Sequence, residues 1–444
     1  MKVIKIAVNK TILIIYHIDF IDIPINDIKL LINDSTIEEI HGYLLNNLPN
    51  GWFVEVYLKD NKYLINDFIS SFRVYISKKM KNWTFDFWEN FNNEPNYAVV
   101  SEIISRGYTT GDRTISDEIV KLLPSSIYNL DTLSQKVNVN SIFEGIDLFR
   151  KLNFSIENYI SFKNKKVGVA FSGGVDSTFL VSELIKVGIN PSLYFMKSEL
   201  DDESNTSLDQ AIYSANKYNL NLNIIEVTSA DINNSFQNYF NLYPNDYSIG
   251  LHSIKCFIKK INNDVDILIT GQNSDTFLSF GVTRSFHLLE TLTRVLYRFQ
   301  YRKIFYGIEL NYLDKLLLTT VYYLRGLKFD TIPSNKLDLL KGWANEKFYL
   351  STVTNKPDSD ITYFDNLNYY EAVVVNKLVN HIAGNHSLVW SDEQNIHIVL
   401  PFGDINFMKS CFSLYEDISH LYNPKRVLLK KLNFKRGLIL DHLI

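Results

Sequence analysis

Cysteine is nearly absent: Cys256 and Cys411 are the two in 444 residues. They form no metal-ligand spacing and no disulfide framework, so a stapled secreted scaffold is excluded and a reducing cytoplasm is the expected setting. Long hydrophobic runs are missing as well. The opening MKVIKIAVNKTILIIYHI is broken by Lys5, Asn9 and Lys10, and reads as two short strands rather than a signal-peptide core. No later apolar stretch is long and uncharged enough to span a bilayer, so membrane insertion is not expected. Excess positive charge is lacking, with 45 Lys and Arg against 49 Asp and Glu and a formal net charge of −4. That balance argues against nucleic acid as the main partner. There is no G-x-x-x-x-G-K-[ST] string and no G-x-G-x-x-G, so no motif supports transfer of a terminal phosphate. No repeat or low-complexity tract stands out.

What remains is an ordinary globular composition, 46% hydrophobic and 21% charged, in a length that suits two domains or three. Residues 1 to 150 read as a mixed α+β domain. Asn50-Gly51 and Asp60-Asn61 are turn signals beside runs such as WFVEVYL and KYLIND. Residues 151 to 444 form the second unit, where strand and helix alternate. Val167 to Phe171, Pro191 to Met196, Leu222 to Val227 and Asp266 to Thr270 read as strands, with a helix over 202–219 that Asp201, Asp202 and Glu203 lead into. The pattern predicts an α/β fold with a doubly wound parallel sheet and ligand chemistry at the strand C-termini. Beyond about residue 285 the chain reads as mostly helical, with a core helix over Asn311 to Leu327.

The segment KKVGVAFSGGVDSTFLVSELIKVGI, Lys165 to Ile189, carries the most information. An apolar strand meets an amphipathic helix, read as Ser177 to Val187, through Ser172-Gly173-Gly174-Val175-Asp176-Ser177. Two glycines let the backbone turn sharply and let an anion come close. The helix N-terminus offers unpaired N–H groups and the positive end of its dipole. Asp176 would repel a bare phosphate, so its presence suggests Mg²⁺ between carboxylate and phosphate.

This string resembles the pyrophosphate loop of the ATP pyrophosphatase superfamily. A second string, ILITGQNSDTFLSFG from Ile267 to Gly281, resembles the asparagine synthetase family's strand ending in Ser-Gly-Glu-Gly-Ala-Asp-Glu. A third, from Ile398 to Leu432, resembles that family's Arg-x-Pro-Phe-Leu-Asp block, with Pro401, Phe402 and Asp404 matching. The resemblance implies ATP and Mg²⁺ as cofactors. It places nucleotide contacts at Ala170, Phe171, Ser172, Gly173, Gly174, Val175, Asp176 and Ser177, at Met196 ending the second strand, and at Thr270 and Gly271. Asp176 and Asp275 would hold the metal. Either Lys425 or Arg426 stands where the family has its catalytic Lys, with Lys430 as the fallback and Lys377 or Arg284 as alternative sources of the cation. Lys425 is favoured, because a flexible ammonium suits a point-charge role. His397 occupies the place where β-lactam synthetase-like members carry a Glu. Its base role stands beside the plainer reading of a satisfied histidine. His381 and His386, five apart, are no zinc pair.

Two departures bear on the substrate. Gln272 and Thr276 stand where the family has glutamates, which suggests an acceptor other than free aspartate and ammonia. The N-terminal part, NGWFVEVYLKDNKYLINDFISSFRVYISKK above all, resembles the glutaminase half loosely through Asp67, Arg73 and Tyr75. It begins Met1-Lys2-Val3, without the nucleophilic cysteine that such a half uses. The resemblance therefore implies a carbon–nitrogen ligase. It adenylates the carboxylate of a small molecule or peptide, releases pyrophosphate and passes the acyl group to an amine, as in β-lactam synthetases and lasso-peptide cyclases. A precursor peptide or partner protein fits that reading. Ammonia-dependent amidation of an amino acid or sugar acid, and a pseudoenzyme that binds ATP, are the alternatives. Group transfer onto adenylated tRNA is disfavoured by the charge balance and the lack of a cysteine motif. The purified chain is expected to release no more glutamate from glutamine than a heat-killed control, and glutamate above that control would overturn the N-terminal reading.

Overall fold

The computed structural model describes residues 1–18, 21–33, 35–92, 94–97, 99–100, 103, 109, 111–143, 164–199, 204–245, 249–278, 378, 396–413, 425, 428 and 432. Up to residue 143 the chain forms β1 (Lys2–Val8), β2 (Thr11–His17), α1 (Ile25–Leu31), α2 (Ile37–Asn47), β3 (Trp52–Leu58), β4 (Asn61–Asn66), β5 (Tyr75–Ser77), β6 (Asn82–Thr84), β7 (Ile119–Lys121), β8 (Ser126–Asn129), β9 (Ser134–Val137) and α3 (Val139–Phe143). The strands make two antiparallel sheets, ordered β1-β2-β3-β4-β8-β9 and β6-β5-β7. Burial along β2 alternates residue by residue, as expected of a strand with one face on a core. The opening segment thus forms the two short strands that its interrupted apolar pattern predicts.

Helix α2 starts where a capping box fixes it. Thr36 Oγ1 accepts from Glu39 N at 3.3 Å, and the Glu39 carboxylate accepts from Thr36 N at 2.7 Å. On its buried side His41 ties the helix to the sheet. Nε2 donates to the Asn66 carbonyl at 2.8 Å, and Nδ1 lies 3.4 Å from Asn138 Nδ2 as an acceptor. Both bonds suit the neutral ring, and burial holds the His41 pKa down at about 4.

The alternation read from the second half folds as β10 (Val167–Ala170), α4 (Val175–Lys186), β11 (Ser192–Ser198), α5 (Ser204–Lys217), β12 (Leu222–Val227), α6 (Ser229–Leu242), α7 (Ile249–Ile261), β13 (Ile267–Ile269), α8 (Ser274–Leu278), β14 (His397–Val399) and α9 (Ile405–Ser413). The five strands form one parallel sheet in the order β12-β11-β10-β13-β14. The fold is mixed α/β with a doubly wound parallel sheet. Winding runs outward from β10 through β11 to β12, then reverses and continues through β13 to β14. The reversal lies between β10 and β13, and in open α/β sheets ligands bind beyond the strand C-termini at such a point. Several bounds differ from the sequence reading by one or two residues. Helix α4 begins at Val175 because Gly174 serves as its N-cap, and β11 runs two residues past Met196 by pairing with β12 as far as Ser198.

The two halves share one cluster of buried hydrophobics that runs from Ile6 through Phe179 to Leu428. They also meet at the C-terminal end of α6. The Arg73 guanidinium donates to the Leu242 carbonyl and lies 5.1 Å from the Tyr243 ring centroid, while Trp88 Nε1 donates to Asn241 O at 2.7 Å. Both satisfy carbonyls that a helix end leaves without intrahelical partners, and the guanidinium complements the negative end of the dipole. The expected division at residue 150 falls outside the described residues, as do Asp201 to Glu203, the 311–327 helix, His381 and His386.

His41 generates a pH prediction. Its folded pKa of about 4 lies below the ordinary 6.5, so its contribution is whole above 6.5 and is lost as pH falls towards 4. Across that window the unfolded chain takes up a proton that the folded chain refuses, a loss of about 3 kcal/mol. Urea midpoints should fall more steeply with acid for the wild type than for His41→Gln. Parallel curves would refute the assignment.

Candidate active site

The loop after β10 is fixed by close backbone approach. Gly173 has φ +73°, and a Cβ placed on it would stand 2.6 Å from the Ala211 N and Cα atoms of α5. Helix α5 also binds this loop. Gln210 Nε2 donates to the Gly173 carbonyl at 3.2 Å, and Thr178 Oγ1 reaches the same oxygen at 3.3 Å. The Ser172 hydroxyl accepts from Gly174 N at 3.3 Å and lies 3.3 Å from the Ser177 hydroxyl, which donates to Gly174 O. The loop is thus a short arch that closes on itself and leads straight into the first turn of α4, where Asp176 stands.

The loop after β13 lies against that turn. Thr270 N donates to Val399 O at 3.1 Å, and the Thr270 hydroxyl accepts from Gln272 N at 3.1 Å. A Cβ on Gly271 would stand 3.4 Å from Asp176 Cβ, in van der Waals contact, so the two loops run side by side here. Asn273 adopts φ +71°, a left-handed turn that asparagine tolerates. It leads into α8, which carries Asp275 in its first turn; the Asp275 side chain lies outside the described residues.

The third segment closes the arrangement from behind. Pro401–Gly403 form a 3₁₀ turn, and Phe402 packs on Phe179 of α4 with ring centroids 6.2 Å apart. Asp404 caps α9 by accepting from Asn406 N at 2.8 Å and Phe407 N at 3.3 Å. Enclosure pushes its carboxyl up, while those N–H groups pull it down.

Across 249 residues of sequence, Lys425 comes to Asp176: Nζ lies 2.8 Å from Oδ2, with side-chain exposures of 30% and 19%. Asp176, Ser177, Thr270, Gly271 and Lys425 therefore stand together at the reversal of the sheet. Arg426 and Lys430 lie outside the described residues, as do Lys377 and Arg284. His397 is not brought to the site. It opens β14 level with Val167 and Ile267, and its N–H donates to Asp266 O at 2.9 Å. That is the opposite end of the sheet from the loops, about 10 Å along the strand from Leu400. No base role at these loops follows for it. Met196 lies half-buried within β11, two residues before the strand ends. The sequence reading missed Gln210, whose helix was legible but whose reach to Gly173 was not, and Asn273, whose place in a polar turn-forming run, two residues after Gly271, was the available signal.

The residues suit a magnesium-bound polyphosphate. Mg²⁺ is commonly held by one or two carboxylates together with substrate phosphates rather than by an all-protein cage. The described residues contain no group of three or more His, Cys, Asp or Glu that could hold a metal ion by themselves. Asp176 stands at a helix start beside glycine N–H groups and hydroxyls, and a cation already approaches it.

No family model matches the chain. Over 82 residues it is 39% identical to an uncharacterized protein of Methanocaldococcus jannaschii, a stretch covering 18% of this chain and 31% of that protein. The chain thus spans about a third of the length of the curated relative it matches. Glutamine-dependent NAD⁺ synthetase from Acinetobacter baumannii aligns over 60% of this chain and 56% of its own, at 13% identity and a TM-score of 0.23. U34-tRNA thiolase from Methanococcus maripaludis aligns over 55% and 86%, at 12% identity and a TM-score of 0.20. Among the described residues no helix is long and apolar enough to cross a membrane.

The close approach at Gly173 is testable against a glycine that lacks it. Gly188 also has positive φ, +81°, yet a Cβ there meets nothing within 4 Å. Gly188→Ala should lose about 1 kcal/mol from backbone conformation alone. Gly173→Ala should lose at least about 2 kcal/mol, since the α5 backbone must shift as well. Equal urea midpoints for the two variants would refute the packing.

Proposed function

We propose that this chain is an ATP- and Mg²⁺-dependent carbon–nitrogen ligase that adenylates a substrate carboxylate, releases pyrophosphate and passes the acyl group to an amine. The Lys425–Asp176 contact supports this reading, because it joins two residues that the family resemblance assigns separately to the metal–nucleotide site and to the catalytic cation. Asp176, with Asp275, would hold Mg²⁺. The metal's contribution when bound is to neutralise the leaving pyrophosphate. The N–H groups of Gly173 and of the first turn of α4 would bind the phosphates, with the Ser172 and Ser177 hydroxyls as further donors. Ala170, Phe171 and Val175 line the turn that carries them, and Thr270 and Gly271 bound the nucleotide from the other loop. Met196 on β11 supplies an apolar wall for the base.

Lys425 has two roles in this reading. Before the nucleotide binds, it neutralises Asp176. With Asp176 committed to holding the metal, the Lys425 ammonium would be available to the α-phosphate and the tetrahedral intermediate, where negative charge grows. Arg426 and Lys430 remain candidates for a second cation. The acyl group is that of a small molecule or peptide, and an amine of the substrate or of a second substrate attacks it. A precursor peptide or partner protein is compatible with that acceptor, and the reaction belongs in the cytoplasm.

Pyrophosphate release upon addition of candidate carboxylates tests the reading. Asp176→Asn should abolish it with the fold intact by circular dichroism. Lys425→Ala should lower turnover by about 10²–10³, with ATP affinity changed far less. Normal turnover in both variants would sink the assignment.

A further inference from the structure

The N-terminal half reaches the second loop through one turn. Asp67 is fully buried. Its carboxylate accepts three backbone N–H groups: Gly51 at 2.5 Å, Trp52 at 3.2 Å and Ser71 at 2.9 Å. Its carbonyl accepts from Ser125 N at 3.0 Å. The turn from 67 to 71 is thereby tied to β3 and to the start of β8, and its tip faces the other half.

Phe68 stacks on Phe277 of α8, with centroids 5.7 Å apart and planes 28° from parallel. Ile69 methyl carbons lie 3.3 and 3.4 Å from where a Gly403 Cβ would stand, and Asn273 Nδ2 lies 3.1 Å from the same point. Asn50 Nδ2 donates to the Gly403 carbonyl at 2.8 Å. Gly403 is thus held on one side by the N-terminal half, and on the other it lies beside Asn273 of the loop that runs past Asp176.

We infer that Asn50, Phe68 and Ile69 are positioning residues for the nucleotide site: the turn held by Asp67 sets the placement of the 271–277 loop through Gly403 and Phe277. The inference rests on the nucleotide reading above. A loop that contains Gly271 and a left-handed Asn273 has little intrinsic rigidity, and precise placement of charge requires a rigid backing. Here the backing comes from the other half of the chain.

Two readouts test it in the full chain: ATP affinity with Mg²⁺ by calorimetry, and hydrogen exchange of the amides at 271–278 and 400–404. Ser274, Phe277, Gly403 and Asp404 donate backbone hydrogen bonds there, so protection is measurable. Asn50→Asp keeps the shape and removes the donor, while Phe68→Leu removes the stack. Asn47→Ala, on the exposed end of α2 with its side chain bonded to Tyr43 O, is the control. Both test variants should speed exchange at these loops and weaken ATP binding by roughly tenfold, with the control at wild-type values. Lower thermal stability with wild-type exchange and affinity would reduce these contacts to packing and overturn the inference. Failure of the two ideas is distinguishable. If the wild type binds no ATP while exchange rises in the variants, the nucleotide reading falls and the loop coupling stands. If exchange is unchanged, the coupling falls whatever ATP does.

Discussion

Parallel pairing of β10 with β13 is the constraint on which the site depends. Two parallel neighbours cannot be joined by a tight turn; the chain must cross over. Here the crossover contains α4 to α7 together with β11 and β12, and it returns to the opposite side of β10. The loops after β10 and β13 then emerge side by side with no strand between them. Both strands are short and apolar, as burial on two faces demands. Because they pair in register, Val167 with Ile267 and Val169 with Ile269, their C-termini end at one level, and Gly271 is set against Asp176. A one-residue slip would turn the β13 side chains to the other face of the sheet and move its loop off the acidic residue.

Magnitudes indicate what the Lys425–Asp176 pair is for. A partly exposed ion pair adds about 0–1 kcal/mol to stability, since solvent screens it and both side chains lose freedom. A preorganised cation facing developing negative charge is worth about 3–4 kcal/mol of barrier. The pair is thus a weak reason for the fold to hold and a strong candidate for chemistry. The same comparison separates it from Lys260–Asp231, where the carboxylate also caps α6 and is held down at about 2. That aspartate serves a helix end.

Local pattern made the first loop legible. An apolar run, two glycines and an amphipathic helix are all short-range signals, and the fold places them where they were read. The helix start was misjudged by two residues because Gly174 and Asp176 look like loop residues, whereas a glycine N-cap and an acid in the first turn favour a helix start. Lys425 was singled out, beside Arg426, through the family resemblance and not through any period of its own. His397 stands away from these loops for a geometric reason: four residues before Pro401 is a short distance in sequence, but along an extended strand it reaches the far end of the sheet. The links between halves were not legible. Asn50 and Gly403 are separated by 353 positions, and Arg73 and Leu242 by 169. Helical and strand periodicities reach only a few residues, so nothing local announces such pairs.

Those long-range links have a common chemistry. Asn50, Arg73 and Trp88 donate from side chains to the backbone carbonyls of Gly403, Leu242 and Asn241. Asn245 adds the converse, its carbonyl and side-chain oxygens accepting from the Thr109 and Ile115 amides. A donor that grips a backbone oxygen is indifferent to the side chain at that position. It fixes where the chain runs, and it leaves the residues that face a ligand free to change. In the second loop this separates two demands that usually conflict. Gln272 is exposed and Asn273 is constrained in a left-handed turn, and the N-terminal half reaches their loop through the Phe68 ring on Phe277 and through Gly403 beside Asn273. If the turn at Asp67 positions that loop as inferred, a half without a recognised nucleophile governs how accurately the other half places its carboxylate and its cation.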